Sequence, residues 1–278
     1  MIAPTMKSVN NRTMLRRAVG ILLFSSTLSV LLPFCSSLNV FPVSEDKQLG
    51  AQFDADIRKD PKTYPILNNV GAKMYVQNII NEIKKSPLVE YESTFPYSVE
   101  IINDDKTVNA FCTPGGYIYV YTGLIKMLDN EASLAGVLGH EIAHAERRHS
   151  TSRMTKAMGL QALLDLLSRN SSDRTVNFAA NAFAGMGLLK NSRDDEDEAD
   201  EYSFKYLQSS RWYPGAIMYF FEKVKGRGGS TLEELFSTHP MPQSRLDATI
   251  ARLKAAKIPP PTEAQLNAKG YAEFKRKL

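Results

Sequence analysis

Two histidines stand four residues apart in the segment His140-Glu141-Ile142-Ala143-His144. On an α-helix with 3.6 residues per turn, positions four apart lie on the same face, so both rings can reach one ion. Neutral imidazole is a common zinc ligand, and a catalytic zinc site takes three protein ligands and keeps one position open. Glu141 lies beside the first histidine, where its carboxylate can accept the proton of an attacking water. The motif therefore predicts a hydrolytic metal site.

The residues around this motif predict that it lies on a helix. Asp129 or Asn130 can cap the start of the helix, and its apolar pattern continues to about His149. Neither proline nor glycine interrupts the motif itself. On a continuous helix His149 is about 180° around the axis from His140. We therefore expect His149 to be structural or exposed and to lie outside the metal site.

A second helix is expected to supply the third ligand. Ser192 is a good capping residue and is followed three residues later by Asp195, which is close to a capping-box pattern. Glu196 and Asp200 then share one helix face, so one carboxylate can bind the metal while the other accepts a hydrogen bond from a ligand imidazole. Glu198 points to another side and is the less favoured ligand. Spacing alone leaves the choice between Glu196 and Glu198 open.

His239 lies in a proline-containing segment, Thr238-His239-Pro240-Met241-Pro242, far from the first two histidines in sequence. A lone histidine usually has no metal-binding or catalytic role, but this chain has only four histidines. His239 is therefore a candidate for one of two roles, a visiting ligand of the metal or a donor to a developing oxyanion.

The N-terminal segment has the form of a secretory leader. Arg12, Arg16 and Arg17 precede an apolar run over residues 18–34, and a basic region followed by an apolar region is typical of such leaders. The run is barely long enough to span a bilayer and is interrupted by serines and a proline, so a leader is favoured over an anchor. We expect the mature protein to be exported.

The end of this leader allows two readings. Cys35 follows the apolar run where the lipidated cysteine of a lipoprotein would lie, although Phe34 occupies a position that is normally small. Ordinary cleavage after Ser37 is the alternative. The sequence thus predicts a leader over residues 1–37 and one domain over residues 38–278, with the leader or a lipid anchor as a route to membrane association.

Composition argues against a nucleic-acid-binding protein and against a disulfide-stabilised scaffold. Hydrophobic residues make up 43% and charged residues 23%, which is ordinary for a globular protein. The net charge is only +4, and no basic cluster contains interleaved aromatics, so no nucleic-acid partner is expected. Two cysteines, Cys35 and Cys112, are too few for a disulfide framework.

The apolar patterns predict an α+β fold that is mostly helical and has a small β-sheet. Residues 45–85 read as helical with breaks at Pro61 and Pro65, and the second half has a stripe that includes Val70 and Met74. Further elements are strands over Tyr97–Ile102 and Tyr117–Tyr121, apolar helices over residues 153–168 and 176–190, and a helix after Pro214. We expect the two apolar helices to be core, with a lid over the cleft or a surface that contacts a membrane or a partner as the alternative.

Six motifs occur in a fixed order along the chain. They are Asn109-Ala110-Phe111, Pro114-Gly115-Gly116, Thr122-Gly123-Leu124, His140-Glu141-x-x-His144, Ser192-Arg193-x-x-Glu196-x-x-Ala199-Asp200 and His239-Pro240-x-x-x-x-Arg245. This order resembles the zinc metallopeptidase family that includes HtpX, BepA and the CAAX prenyl-protein protease. The resemblance extends over roughly residues 45–250. It implies a zincin-like domain of the gluzincin type.

The resemblance also implies roles for individual residues. It makes His140, His144 and Glu196 the ligands of one Zn²⁺ per chain, which decides between the two glutamates. It places Asp200 behind a ligand. Arg245 belongs to the last motif and is expected to act from the far wall of the site.

The same resemblance implies where a substrate binds. Asn109, Ala110 and Phe111 are expected to form a strand edge beside the cleft, to which an extended polypeptide can add. In BepA-like members the histidine of the His-Pro segment caps the zinc, so His239 is expected to gate the site. A zinc-capped, largely inactive, chaperone-like protein that uses the same cleft is the alternative function.

The chain has neither the additional transmembrane segments of HtpX and the CAAX protease nor a helical repeat after Arg245. It is therefore more similar to the short exported members of the family, which are BepA- or LoiP-like without tetratricopeptide repeats. Those members imply peptide-bond hydrolysis of misfolded or misassembled cell-envelope proteins, in the periplasm or on the periplasmic face of the bacterial outer membrane.

Overall fold

The structure is a computed structural model that describes residues 39–157, 191–225, 229–240 and 243–278. The helices are α1 (Val43–Lys59), α2 (Val70–Ile83), α3 (Thr122–Met127), α4 (Glu131–Glu146), α5 (Arg193–Gln208), α6 (Ile217–Val224), α7 (Ser230–Thr238), α8 (Gln243–Ala255), α9 (Glu263–Leu266) and α10 (Ala268–Lys275). Residues 149–157 are helical as well. The strands are β1 (Ser98–Ile102), β2 (Ala110–Thr113) and β3 (Tyr117–Tyr121). The predicted fold class, mostly helical with a small sheet, is confirmed.

The three strands form one mixed sheet in the order β1-β3-β2. Strand β3 pairs in parallel with β1 and antiparallel with β2, with Phe111 opposite Tyr119. The predicted first strand begins one residue too early, because Tyr97 has a φ of +43° and cannot continue extended pairing. Strand β2 lies at the edge of the sheet and packs on α4. The sheet therefore presents an edge strand next to the helix that carries the histidine motif.

Side-chain caps fix the starts of the two helices that matter most. The Asn130 side chain accepts a hydrogen bond from the Ser133 backbone N–H at the start of α4. Ser192 and Asp195 form a capping box at the start of α5. Both caps were predicted, and each satisfies backbone donors that a helix start otherwise leaves free.

The predicted apolar stripe of α2 is wrong at its first turn. Val70 is 70% exposed and Met74 is 59% exposed. The buried face instead contains Ala72, Val76, Ile79, Ile80 and Ile83. The isoleucines continue the spacing of Ala72 and Val76, so a helix that buries them must turn Val70 and Met74 to solvent.

Helix α4 is buried along its whole length. A Cβ at Gly136 would lie 2.7 Å from the Ile217 backbone nitrogen, and one at Gly139 would lie 2.9 Å from the Ser203 hydroxyl. The Ser203 hydroxyl donates to the Gly136 carbonyl at 2.7 Å. These two glycines therefore allow α5 and α6 to approach α4 closely, and α5 is the helix that carries Glu196.

Helix α4 ends at Glu146, earlier than the apolar pattern predicts. Arg148 has a left-handed φ of +56° and interrupts the backbone before the helix that starts at residue 149. The Arg148 guanidinium is held by the Asp46 carboxylate and the Phe41 carbonyl. The chain therefore turns sharply between His144 and His149.

Several predictions concern residues outside the described ranges. These are the leader over residues 1–37 with Cys35, and the apolar helices at 153–168 and 176–190 apart from residues 153–157. Among the described helices, none has the length and apolarity required to cross a bilayer.

Candidate metal centre

Four buried side chains from different parts of the chain converge at one point. They are His140 and His144 on α4, Glu196 on α5, and His239 at the end of α7. One ligand atom from each lies within 4.8 Å of all the others. The close contact of α4 and α5 thus brings together the two histidines and the glutamate that the sequence proposed as a ligand set.

The separations between these atoms match a tetrahedral ion site. With zinc–ligand bonds of about 2.1 Å, two ligand atoms in a tetrahedron lie roughly 3.4 Å apart. The Nε2 atoms of His140 and His144 are 3.0 Å apart. Glu196 Oε2 lies 3.5 Å from the first of these nitrogens, and Oε1 lies 3.3 Å from the second. The donor set therefore fits one small divalent cation.

Asp200 and Arg245 surround this donor set. His140 Nδ1 lies 2.9 Å from Asp200 Oδ1, which leaves Nε2 free for an ion. Arg245 donates to both Asp200 oxygens, from Nε at 2.7 Å and from Nη2 at 2.6 Å. Its Nη1 donates to Glu196 Oε2 at 2.6 Å, and its guanidinium lies over the Phe221 ring. All these charged groups are buried, so Arg245 neutralises carboxylates that would otherwise be costly.

Burial and neighbouring charges shift the pKa values of His140, His144 and Glu196 in different directions. Burial disfavours the protonated ring of His140, but Glu196 and Asp200 outweigh it and raise its pKa to about 9. Burial also opposes ionisation of Glu196, yet His239 and His140 hold the pKa of this carboxyl well below its usual range. Burial, and after it the positive charge of the His140 ring, lower the pKa of His144 well below its usual value. Glu196 is therefore held in the ionised form that a metal ligand requires.

Glu141 lines a cavity together with His140 and His239. Its Oε1 lies 3.8 Å from His239 Nε2, and its Oε2 is buried without a hydrogen-bond partner among the described residues. Burial is the main cause that raises the pKa of Glu141. A raised carboxyl pKa suits a group that takes a proton near neutral pH and later returns it. Apolar side chains line the cavity beside it, namely Leu124, Val137, Ile217, Phe220 and Leu235.

His149 lies outside the four-residue cluster, as expected, but its predicted orientation is wrong. Its Nδ1 lies 2.7 Å from His144 Nδ1, and its Nε2 lies 3.0 Å from Glu198 Oε2. The prediction assumed a continuous helix, whereas the backbone turns at Arg148. Glu198 contacts His149 and Arg147 rather than the convergent nitrogens.

Asn191 also belongs to this site and was not predicted. Its Nδ2 lies 3.3 Å from His144 Nε2 and 3.2 Å from His239 Nδ1. His239 Nδ1 is in turn 3.0 Å from Glu196 Oε1. Asn191 immediately precedes the Ser192 cap, and its backbone N–H donates to the Thr238 carbonyl. No pattern in the sequence could predict the contact of Asn191 with His239, because this contact depends on where α7 ends.

The Asn109-Ala110-Phe111 segment lies at the β2 edge of the sheet that the described residues form. The Asn109 carbonyl accepts from the Tyr121 N–H, so alternation along β2 directs the backbone groups of Ala110 and Cys112 away from β3. Ala110 also lines the cavity beside His140. The Asn109 side chain is fully buried, and neither of its polar atoms has a hydrogen-bond partner among the described residues.

A buried helix with two histidines and an adjacent glutamate, completed by a glutamate from a neighbouring helix, defines a zincin-like metallopeptidase. The sequence model of Peptidase family M48 matches residues 72–253. This chain belongs to peptidase family M48, which confirms the predicted family and the predicted metallopeptidase class.

Relatives of this chain carry names that agree with that class. It is 26% identical over 264 residues to the beta-barrel assembly-enhancing protease of Escherichia coli (strain K12), which covers 84% of this chain and 52% of that protein. It is 34% identical over 149 residues to the mitochondrial metalloendopeptidase OMA1 of Arabidopsis thaliana, covering 54% and 30%. It is 30% identical over 164 residues to the metalloprotease YcaL of Escherichia coli (strain K12), covering 58% and 63%. The chain thus spans about half the length of the first relative.

Proposed function

We propose that this protein is a zinc-dependent endopeptidase in which His140, His144 and Glu196 hold the metal. The observation that supports this most strongly is the convergence of these buried ligand atoms at separations expected of tetrahedral zinc. A structural zinc site is usually closed and rich in cysteine, whereas this site lies beside a buried carboxylate oxygen of Glu141 that has no hydrogen-bond partner in the described part of the chain.

Each side chain has a defined task in peptide hydrolysis. When bound, zinc acidifies water and polarises the scissile carbonyl. Glu141 accepts the proton of the attacking water and then delivers it to the leaving amine, for which its raised pKa is suited. Asp200 orients the His140 ring through Nδ1, and Arg245 holds Asp200 and Glu196 in place.

The substrate is proposed to be an extended polypeptide lying along β2. Ala110 and Cys112 direct their backbone groups away from β3, so a peptide strand can pair with them while its scissile bond reaches Glu141. The apolar cavity lined by Val137 and Ile217 then favours a small apolar side chain next to the cleaved bond.

Replacement of Glu141 by glutamine tests this mechanism. We expect Glu141→Gln to bind one equivalent of zinc and to hydrolyse casein roughly 10²- to 10⁴-fold more slowly, because only the proton acceptor is lost. Glu201→Gln is the matched control, since Glu201 is half exposed and forms its ion pair with Lys205 on the same helix. Chelation should abolish hydrolysis by the wild type, and zinc should restore it. A Glu141→Gln protein that keeps zinc and cleaves casein at the wild-type rate contradicts the assignment.

We propose that the protein is exported and acts on misfolded or misassembled cell-envelope proteins. The leader-like segment over residues 1–37 supports export, and the name of the beta-barrel assembly-enhancing protease supports an envelope substrate. Whether Cys35 anchors the protein through a lipid is tested by intact mass of the mature chain. Capture of periplasmic proteins by Glu141→Gln in the native envelope tests the substrate class.

A second candidate function is a capped, largely inactive form that uses the same cleft as a chaperone. The observation that favours it is the position of His239, whose Nδ1 is near enough to Glu196 Oε1 to join the ligand set. Four protein ligands would leave no position for water. If His239 caps the metal, His239→Ala should increase casein hydrolysis. If it instead donates to the oxyanion, the same variant should decrease hydrolysis while keeping zinc.

A further inference from the structure

We propose that His149 is a positioning residue that sets the tautomer and orientation of His144, and that Glu198 in turn orients His149. This inference rests on the metal site proposed above. It assigns a role to a third histidine that does not touch the metal position, and to the glutamate that was the rejected alternative as a ligand.

The side chains of His144, His149 and Glu198 form a continuous line of contacts that leads away from the metal position. His144 Nδ1 and His149 Nδ1 are 2.7 Å apart, and the two rings meet edge to face at 72° with centroids 4.9 Å apart. His149 Nε2 lies 3.0 Å from Glu198 Oε2. Arg147 Nε donates to the other oxygen of Glu198 at 2.8 Å. Both rings are buried, whereas the Glu198 side chain is 38% exposed and ends the line at the surface.

Hydrogen-bond chemistry gives this line a direction. An ionised carboxylate can only accept, so a His149 ring that carries one hydrogen has it on Nε2 and donates it to Glu198. The Nδ1 of His149 is then an acceptor and must receive its hydrogen from His144 Nδ1. With its hydrogen on Nδ1, His144 keeps a free lone pair on Nε2.

That lone pair faces the metal position. His144 Nε2 lies 3.0 Å from His140 Nε2 and 3.3 Å from Glu196 Oε1. His140 is oriented by a shorter route, through the contact of its Nδ1 with Asp200. The two ligand histidines therefore use different partners, a carboxylate directly in one case and a histidine backed by a carboxylate in the other.

The backbone break after α4 makes this contact possible. On a continuous helix His149 would lie about 140° around the axis from His144 and could not meet its ring. The left-handed Arg148 turns the chain back, and its guanidinium is fastened to Asp46 and the Phe41 carbonyl on α1 and the segment before it. A residue other than glycine rarely adopts this left-handed conformation, and the contacts of the Arg148 side chain with Asp46 and Phe41 retain it here.

A pair of substitutions at His149 separates positioning from packing. His149→Asn keeps an acceptor close to the Nδ1 position, whereas His149→Phe keeps the ring volume and has no acceptor. We expect His149→Phe to weaken zinc binding roughly 10- to 100-fold in competition with a chelator. We expect His149→Asn to stay within about threefold of the wild type, since a bond to Nδ1–H remains possible. A packing role predicts the opposite order, because asparagine leaves a cavity and phenylalanine fills it.

A second readout does not depend on metal. Nitrogen-15 shifts of the His144 ring in the metal-free full chain report which nitrogen carries the hydrogen. We expect the Nδ1–H form in the wild type and in His149→Asn, and a mixture with the Nε2–H form in His149→Phe. Wild-type protein with His144 mainly in the Nε2–H form overturns the proposal, as does wild-type zinc affinity in His149→Phe. If wild-type protein binds no zinc but shows the Nδ1–H form, the proposed peptidase site fails while the positioning role of His149 stands.

Glu198→Gln tests the outer end of the line. The amide oxygen can still accept from His149 Nε2–H, but the charge is lost and the amide nitrogen can donate instead. We expect the His149 ring to become a mixture of tautomers and zinc affinity to fall by a smaller factor than in His149→Phe. Glu201→Gln on the same helix is the matched control and should change neither measurement. Equal results for the two glutamine variants exclude Glu198 from the role.

Discussion

Arg245 contacts two buried carboxylates at once, so its removal makes a sharp test of the site's electrostatics. The Arg245 side chain is 2% exposed, and it contacts Glu196 and Asp200, whose side chains are each 1% exposed. Arg245→Met keeps most of the aliphatic length and removes the charge. Removing one partner of a buried ion pair costs about 3–5 kcal/mol, because the remaining charge stays buried without compensation. We therefore expect a loss of about this size in the free energy of unfolding of the metal-free protein.

The assay is urea unfolding in the presence of a chelator, followed by the fluorescence of Trp212, the only tryptophan. A loss of about 3–5 kcal/mol corresponds to a melting temperature roughly 6–20 °C lower for a domain of this size. The control is Lys59→Ala, which removes the cation of an exposed pair with Asp56 and should cost less than about 1 kcal/mol. An unchanged dependence of the free energy on urea concentration shows that both variants unfold from the same compact state.

The pH dependence of this effect has a defined sign. Burial opposes ionisation of Asp200, but Arg245 outweighs it and lowers the pKa of this carboxyl in the folded protein. A lowered carboxyl pKa contributes stability above the unfolded pKa, and this contribution is lost as the pH falls through the folded pKa. The difference between wild type and Arg245→Met should therefore be largest near neutral pH and should shrink below about pH 4. Equal stability of Arg245→Met and Lys59→Ala at pH 7 would refute the reasoning.

Two further predictions concern packing away from the metal position. A Cβ at Gly50 would lie 1.9 Å from the Pro114 carbonyl oxygen, so Gly50→Ala should lower the free energy of unfolding by about 2 kcal/mol or more. Gly71→Ala meets its nearest atom at an ordinary 3.5 Å and should stabilise α2 by up to about 1 kcal/mol; the same sign for both variants in urea unfolding contradicts this. Trp212 Nε1 donates to buried Glu131 at 2.7 Å, so Glu131→Ala should destabilise the protein by about 1–3 kcal/mol and shift the native emission of Trp212. A native emission spectrum identical to that of the wild type would exclude the Trp212 bond as the cause.

Much of the fold follows from local patterns in the sequence. The capping residues Asn130 and Ser192 set the starts of α4 and α5, because the side chain of each accepts a hydrogen bond from the backbone N–H three residues later. The aromatic and β-branched run Tyr117–Tyr121 is the central strand of the sheet. The prediction for α2 was wrong at Val70 and Met74, since two apolar faces compete there and only packing decides which is buried.

The sequence by itself determined which residues were predicted at the centre of the site, namely His140, Glu141 and His144. The four-residue spacing of His140 and His144 places two imidazoles on one face of any helix, and Glu141 follows from adjacency alone. Glu196 could be chosen over Glu198 only through the resemblance to a family, because spacing within one helix does not say which neighbour that helix will meet.

Only the tertiary structure decided what surrounds these residues. Close packing of α4 on α5 brings Glu196 to the histidines, and the end of α7 brings His239 and Asn191 to the same point. The turn at Arg148 reverses the side on which His149 lies. These contacts join residues that are distant in sequence or separated by a backbone break, and such contacts depend on how helices pack rather than on any local period.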